Sequence, residues 1–224
     1  MSSLAQKAQW WALDYLYAVR WQAVGLISKD RAADFASGSE RPVVVIPGIW
    51  ESWHFLRPLV VPLHDRGHPV HVLTALQRNG RPVLDGATIV AEYLELNDLH
   101  DVVIVAHSKG GLIGKYAMVL PQSAKRIVEM VAVNSPFSGS RYAPYLLLPS
   151  LRAFSPRDAT TVLLGKELDV NARITSVYSE FDPHIPEGSE LVGAANIEVP
   201  TGGHFRILGD PATIRLVLDA VGDR

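Results

Sequence analysis

No cysteine occurs among the 224 residues, so the chain has no disulfide, no thiol nucleophile and no Cys-based zinc site. Whatever chemistry it performs must use oxygen or imidazole groups, and the lack of thiols fits a reducing or an oxidising compartment equally. An excess of either charge is missing too: 21 basic and 23 acidic residues give a net charge of −2. They are scattered, with no basic stripe and no acidic tail, which argues against nucleic acid and against a polybasic membrane contact. Long uninterrupted apolar runs are also absent. The stretch "QWWALDYLYAVRWQAVGLIS", residues 9–28, is broken by Asp14 and Arg20 and falls short of the ~20 apolar residues a membrane span needs. It lacks the basic start, unbroken apolar core and small-residue cleavage site of a secretory signal. The expectation is therefore a cytoplasmic protein with no signal peptide, peripheral to a membrane at most.

What is present is 48% hydrophobic residues, enough at this length for one well-buried core in a single-domain range. Trp10, Leu13, Tyr17, Trp21 and Val24 recur at helical spacing and predict an N-terminal amphipathic helix. Such a stripe packs on its own domain or lies at a membrane boundary, where Trp and Tyr are favoured; peripheral membrane or lipid contact through this helix stays open. "DRAADFASGSERP", residues 30–42, reads as a polar linker. The expected organisation is a helix and linker over residues 1–41 and a main domain over 42–224, in a monomer or a dimer.

From Pro42 onward short β-type runs alternate with helical patterns. "VVVIP" (43–47), "VHVLTA" (70–75), "VVIVA" (102–106), "IVEMVAV" (127–133), "ITSVY" (174–178) and "NIEVP" (196–200) read as strands, most with the weak alternation of strands covered on both faces. Helix-like segments lie at about 53–66, 85–98, 110–120 and 211–221. This alternation predicts an α/β fold, a mostly parallel doubly wound sheet of about six strands with helices on both faces. Ligands in such sheets bind beyond the carboxyl ends of the strands.

One of those ends carries "VVIVAHSKGG", residues 102–111. A buried strand turns through "HSKG" directly into the helix "GLIGKYAMVL", so Ser108 sits at a sharp strand-to-helix reversal flanked two residues away by Ala106 and Gly110. That is the small-x-Ser-x-Gly arrangement of a nucleophile elbow, with the positive end of a helix behind the hydroxyl. A lone serine in such a turn is ordinarily a helix cap; the strand, small residue, Gly-Gly and helix together favour a nucleophile.

At these residues the chain resembles the α/β-hydrolase family, and within it the small bacterial lipases and esterases with an "A-H-S-x-G-G" elbow. The resemblance spans about residues 42–221. It implies a Ser, acid, His triad in that chain order, an oxyanion hole of two backbone amides, no metal and no cofactor. Serine needs a base oriented by a carboxylate. His204 in "PTGGHFRIL" follows the last strand on a glycine-bearing loop and is the best-placed base. His107 adjoins the serine and is expected to pack beneath the elbow; His54, near the oxyanion loop, is a weak candidate. In "VYSEFDPHIP" Asp182, Ile185 and Pro186 match the family's "D-x-x-V/I-P" setting for the acid, with Glu180 as the alternative and His184 expected at the surface. The oxyanion amides fall to Lys109, after the nucleophile, and Ile49 in "IPGIW", where Pro47 replaces the family's usual histidine.

Trp50 and Trp53 follow the oxyanion loop and are expected to wall an apolar substrate cleft. "YAPYLLLPSLRAF", residues 142–154, belongs to a cap or lid insertion at about 139–168, either a lid over the cleft or a surface covered by the N-terminal helix. Lys109 is either a group that attracts an anionic head group or a solvated helix residue. The expected function is a serine carboxylic ester hydrolase, lipase-like or esterase-like, acting on a small-molecule apolar ester through an acyl-enzyme. Acyl transfer or thioester hydrolysis by the same triad, and a non-catalytic module that binds an apolar ligand, are the alternatives.

Overall fold

The computed structural model describes residues 2–145, 147–152 and 154–222. Six parallel strands form one sheet in the order β2-β1-β3-β4-β5-β6. They are β1 (Val43–Ile46), β2 (Val70–Val72), β3 (Val102–His107), β4 (Ile127–Val133), β5 (Ile174–Phe181) and β6 (Ala195–Gly202). Each of the six predicted runs overlaps one of them, and β3, β5 and β6 extend past the predicted ends. The helices are α1 (Leu4–Ile27), α2 (Arg57–Asp65), α3 (Val83–Leu96), α4 (Lys109–Val119), α5 (Pro149–Arg152), α6 (Ala159–Lys166) and α7 (Pro211–Gly222).

The valine-rich strands serve two cores at once, because successive side chains of a strand point to opposite faces. Val44, Ile46, Ile104 and Ala106 pack with Ala87 and Val90 of α3 and Leu112 and Ile113 of α4. Val43, Val45, Val103 and Val105 face the other way onto Leu59 and Leu63 of α2 and Val217 and Val221 of α7. Register is continuous through the centre, with Ile46 beside Ala106, Ala106 beside Ala132 and His107 beside Val133. The carboxyl ends of β1, β3 and β4 are thereby brought to one edge. β5 and β6 extend to Phe181 paired with Gly202, carrying the chain beyond that edge on the same side.

α1 is packed into this unit, with Trp21 buried in the second core. The helical period is as the sequence suggests, but the inward face is rotated. Trp10, Asp14, Tyr17, Trp21 and Val24 point inward, whereas Leu13 is exposed and Asp14 is completely buried. The reason is a pair of backbone amides that need an acceptor, described below. The outer face of α1 leaves Leu4, Trp11, Leu16, Val19 and Ile27 exposed. Among the described residues no helix is long and apolar enough to cross a membrane.

Residues between β4 and β5 hold α5 and α6 and a 3-10 turn, Ala143–Tyr145. Tyr145 and Leu147 on this insertion are 85% and 92% exposed, so α1 does not cover them.

Candidate active site

The chain leaves β3 at His107 and enters α4 at Lys109, and Ser108 between them has φ 51° and ψ −121°. A residue with a Cβ is rarely held at positive φ unless its surroundings force it there. Here the Ser108 amide donates to Val133 O at 2.9 Å, tying the turn to β4. Two residues on, a Cβ at Gly110 would collide with the Ile46 carbonyl of β1. Only glycine lets α4 start this close to the sheet, and that closeness turns the serine hydroxyl outward.

His204 follows β6 and lies 96 residues from Ser108 in sequence, yet its Nε2 is 2.9 Å from Ser108 Oγ. Its Nδ1 is 2.7 Å from Asp182 Oδ2. Asp182 in turn accepts at Oδ1 from the His184 amide (2.7 Å) and the Ile185 amide (3.1 Å). These bonds fix the carboxylate plane. Glu180, the alternative acid, lies two residues earlier in β5 and is exposed.

Burial of His204 alone would lower its pKa, but the charge of Asp182, its hydrogen bond and the carboxylates of Glu51 and Asp14 outweigh this and raise it. For Asp182, burial pushes upward, while the His204 charge and hydrogen bond and the two backbone amides prevail and lower it. The environment thus keeps Asp182 ionised and makes His204 a stronger base.

The Ile49 and Lys109 amides have no acceptor among the described residues. Lys109 follows Ser108 in the first turn of α4 and Ile49, in the loop after β1, lines the same cavity as Ser108, so the arrangement offers two donors to a developing oxyanion. The Lys109 side chain turns away: its Nζ is buried and donates to Asn79 O (2.8 Å) and to Arg81 O. Burial brings its pKa down to about 8. It therefore neither faces an anionic head group nor lies solvated, and instead ties α4 to the loop over 79–81. That loop also holds the oxyanion segment, through Asn79 Nδ2 to Pro47 O (2.7 Å) and Trp50 N to Arg78 O (2.6 Å). These bonds give the segment a defined path with Pro47 in place.

Ser108 and His204 lie in a cavity of about 380 Å³ whose other walls include Ile49, Trp50, Tyr142, Leu151 and Phe154. Trp50 borders it at φ 59°. Trp53 does not: its ring stacks on His54 at 4.1 Å and meets Phe35 at 5.7 Å, on the opposite side of the turn. Because Trp53 opens a 3-10 turn, its side chain is directed back toward the 32–35 segment. His54 is buried with neither ring nitrogen partnered. Among the described residues no hydrogen bond or ring contact joins it to Ser108, Asp182 or His204.

Sequence reasoning set aside or overlooked several residues that the fold brings here. His184 is no surface residue. Its ring stacks on that of His204 with centroids 4.7 Å apart and an interplanar angle of 12°, and it lines the cavity. Burial and the adjacent His204 lower its pKa to about 4, so it is a neutral ring. The Tyr15 hydroxyl of α1, whose pKa burial raises, is hydrogen-bonded to His184 Nε2 at 3.1 Å.

Beneath the elbow, His107 does more than pack. Its Nε2 donates to the His204 carbonyl at 2.8 Å, and its Nδ1 lies 2.8 and 3.0 Å from the two Glu51 oxygens. Glu51 also accepts the Gly48 amide at 2.8 Å. Asn134 at the end of β4 donates to the Gly203 and His204 carbonyls (3.0 and 3.2 Å) and accepts from Ser179 N. No local pattern marks these residues. The one available signal was the placement of Asn134 directly after β4 and of Glu51 in the loop that follows β1. Among the described residues no group of three or more His, Asp or Glu side chains is placed to hold a metal ion.

Known structures agree with this architecture. No family model matches the chain, and no curated protein matches it. Solved structures do. Lipase B of Aspergillus fumigatus superposes with a TM-score of 0.68 at 19% identity, over 86% of this chain and 55% of that one. An extracellular α/β-hydrolase from a Paenibacillus species, described as sharing structural and functional homology with tobacco salicylic acid binding protein 2, gives 0.57 at 17% identity. The match covers 82% of this chain and all of that one. The mature form of the Bacillus licheniformis lipase BlEst2 gives 0.55 at 16% identity over 81% and 92%. The chain has the α/β-hydrolase fold.

Proposed function

We propose that the protein is a serine hydrolase of carboxylic esters. The supporting observation is the unbroken relay from Ser108 Oγ to His204 Nε2 (2.9 Å) and from His204 Nδ1 to Asp182 Oδ2 (2.7 Å), at the wall of an apolar cavity. A fold supports many activities, so the relay and the cavity carry the reading rather than the structural likeness.

In this reading Ser108 Oγ attacks the ester carbonyl carbon while its proton passes to His204 Nε2. Asp182 holds the imidazole in the tautomer that can accept there and stabilises the imidazolium that forms. The carbonyl oxygen becomes an oxyanion between the Ile49 and Lys109 amides. Collapse breaks the bond to the alcohol oxygen, which leaves with the proton from His204, and the acyl group stays on Ser108. Water then repeats the cycle: His204 takes its proton, its oxygen attacks the acyl carbon, and Ser108 Oγ leaves with the proton returned.

The cavity of about 380 Å³ is near the lower end of the ~300–1,000 Å³ typical of small-molecule sites. That size favours short or medium acyl groups over long ones. Hydrolysis of p-nitrophenyl esters across acyl lengths, with Ser108→Ala in parallel, tests the reading. We expect turnover that peaks at a short or medium chain and vanishes in Ser108→Ala. Turnover that survives Ser108→Ala, or acyl transfer to an added alcohol that outruns hydrolysis, contradicts it.

A further inference from the structure

α1 lies across the loop that carries His204. Trp10 rests on Gly202, where a Cβ would collide with the indole, and one helical turn later Asp14 rests on Gly203, at φ +119°, where a Cβ would collide with the carboxyl. Two consecutive glycines at the end of β6 thus match two residues of α1 spaced four apart. Asp14 is completely buried. Its Oδ1 accepts from Phe205 N at 2.7 Å and Arg206 N at 2.8 Å, the two amides directly after His204. These amides open the 3-10 turn Arg206–Gly209, to which its own cap residue, Phe205, supplies no side-chain acceptor. Asp14 fills that role from about 190 residues away. Its other oxygen, Oδ2, is buried without a partner. An acidic residue that served only packing would be better replaced by an apolar one, because a buried polar atom without a partner is costly.

We propose that Asp14 is a positioning residue for His204: from α1 it holds the 203–206 loop so that the imidazole reaches Ser108 and Asp182 together. This rests on the reading of Ser108, His204 and Asp182 as nucleophile, base and acid. Three sets of bonds locate His204. Asp182 orients its ring, His107 and Asn134 hold its carbonyl, and Asp14 holds the amides that follow. Without the third, the two amides after His204 lose their acceptor and only the Arg206 side chain and the buried Ile207 and Leu208 hold that segment, and a catalytic group displaced by ~1 Å can lose about 100-fold in rate. N-terminal to C-terminal coupling of this kind makes α1 part of the active site, with Tyr15 adding a second hold through His184.

Asp14 also contributes charge. The titratable groups that touch His204 or act on its charge are Asp182 and His184 from the loop after β5, Glu51 from the loop after β1, His107 from β3 and Asp14 from α1, while Tyr15 of α1 reaches His184 and the Arg206 guanidinium turns to Thr201 and Gly202. The anions among them favour imidazolium. Asp14→Asn keeps an oxygen acceptor for both amides and removes one anion, whereas Asp14→Ala removes both acceptor and anion.

The test measures kcat, KM, melting temperature and the rate of fluorophosphonate labelling on the full-length chain, for wild type, Asp14→Asn and Asp14→Ala. We expect kcat of Asp14→Ala to fall by about 10- to 100-fold with KM little changed and labelling slowed in proportion. Asp14→Asn should recover most of kcat, with the acid limb of its kcat/KM profile displaced to lower pH. Wild-type labelling with both variants labelling at the wild-type rate overturns the proposal, as does a loss confined to KM. If Asp14→Ala melts below the assay temperature, the acid limb of Asp14→Asn decides, and a limb that does not move overturns it. A wild-type chain that does not label overturns the triad reading and this proposal with it.

Discussion

Glu51→Ala should unsettle the oxyanion segment and the histidine loop together. Glu51 is 2% exposed and accepts from Gly48 N on one side and contacts His107 Nδ1 on the other. His107 Nε2 faces a carbonyl and can only donate to it, so the ring is held at both nitrogens, with Nδ1 against the Glu51 carboxyl. Alanine leaves the Gly48 amide and His107 Nδ1 without their partner. At about 1–3 kcal/mol for each orphaned buried group, the loss is about 2–6 kcal/mol, consistent with ~3–5 kcal/mol for removing one partner of a buried pair. For a chain of this size each kcal/mol moves the melting temperature by about 2–4 °C, so a fall of roughly 10 °C is expected. Glu51→Gln separates the contributions. Its amide oxygen can still accept from Gly48 N while its NH2 donates to a neutral His107 Nδ1, so it should lose less than about half as much. Because Gly48 precedes Ile49, kcat/KM of Glu51→Ala should fall by on the order of 100- to 1,000-fold, the loss typical of one oxyanion donor. Thermal unfolding by circular dichroism and ester kinetics supply both readings. A Glu51→Ala chain that melts within about 2 °C of wild type and keeps its kcat/KM would refute the coupling.

Other consequences follow from the same geometry. In the proposed mechanism His204 acts as base only when neutral, and its pKa is raised, so kcat/KM should be lost as pH falls through a value above the usual histidine range, which a pH profile reads directly. Asp182→Asn should preserve the fold and lower kcat by about 10⁴-fold, since the amide favours the wrong imidazole tautomer; a loss below tenfold contradicts the assigned role. Gly110→Ala places a Cβ against the Ile46 carbonyl and should cost about 1–3 kcal/mol in denaturant unfolding, with slower labelling of Ser108. An unchanged unfolding midpoint and labelling rate would contradict the close approach of α4 to β1.

The sheet was legible because most of its strands are apolar on both faces and separated by helical patterns, which is what parallel pairing under two helix layers requires; the edge strand β6 is largely exposed. Ser108, Asp182 and His204 were legible because each follows a strand in a recognisable turn, and chain order placed them on one edge. Asp14 and Glu51 were not. Each looks like an ordinary surface acid, and what buries it is a set of backbone donors supplied by tertiary structure, far along the chain for Asp14. The same blindness explains the rotated face of α1: a period can be read from apolar residues, but a buried carboxylate shifts the centre of the stripe from Leu13 to Asp14. Trp53 failed for a local reason, since the direction of a side chain in a 3-10 turn does not follow from its distance to the oxyanion segment. His184 was misread because its neighbour Asp182 was treated alone, whereas the loop folds back so that the two imidazoles stack.

The most direct measurement is intact-mass analysis of the full-length protein after reaction with a fluorophosphonate, followed by peptide mapping. One adduct on Ser108, absent from Ser108→Ala and much slower in His204→Ala, is the result the relay predicts. No adduct on the folded wild-type chain, or an adduct on another residue, would contradict the assignment of Ser108 as an activated nucleophile.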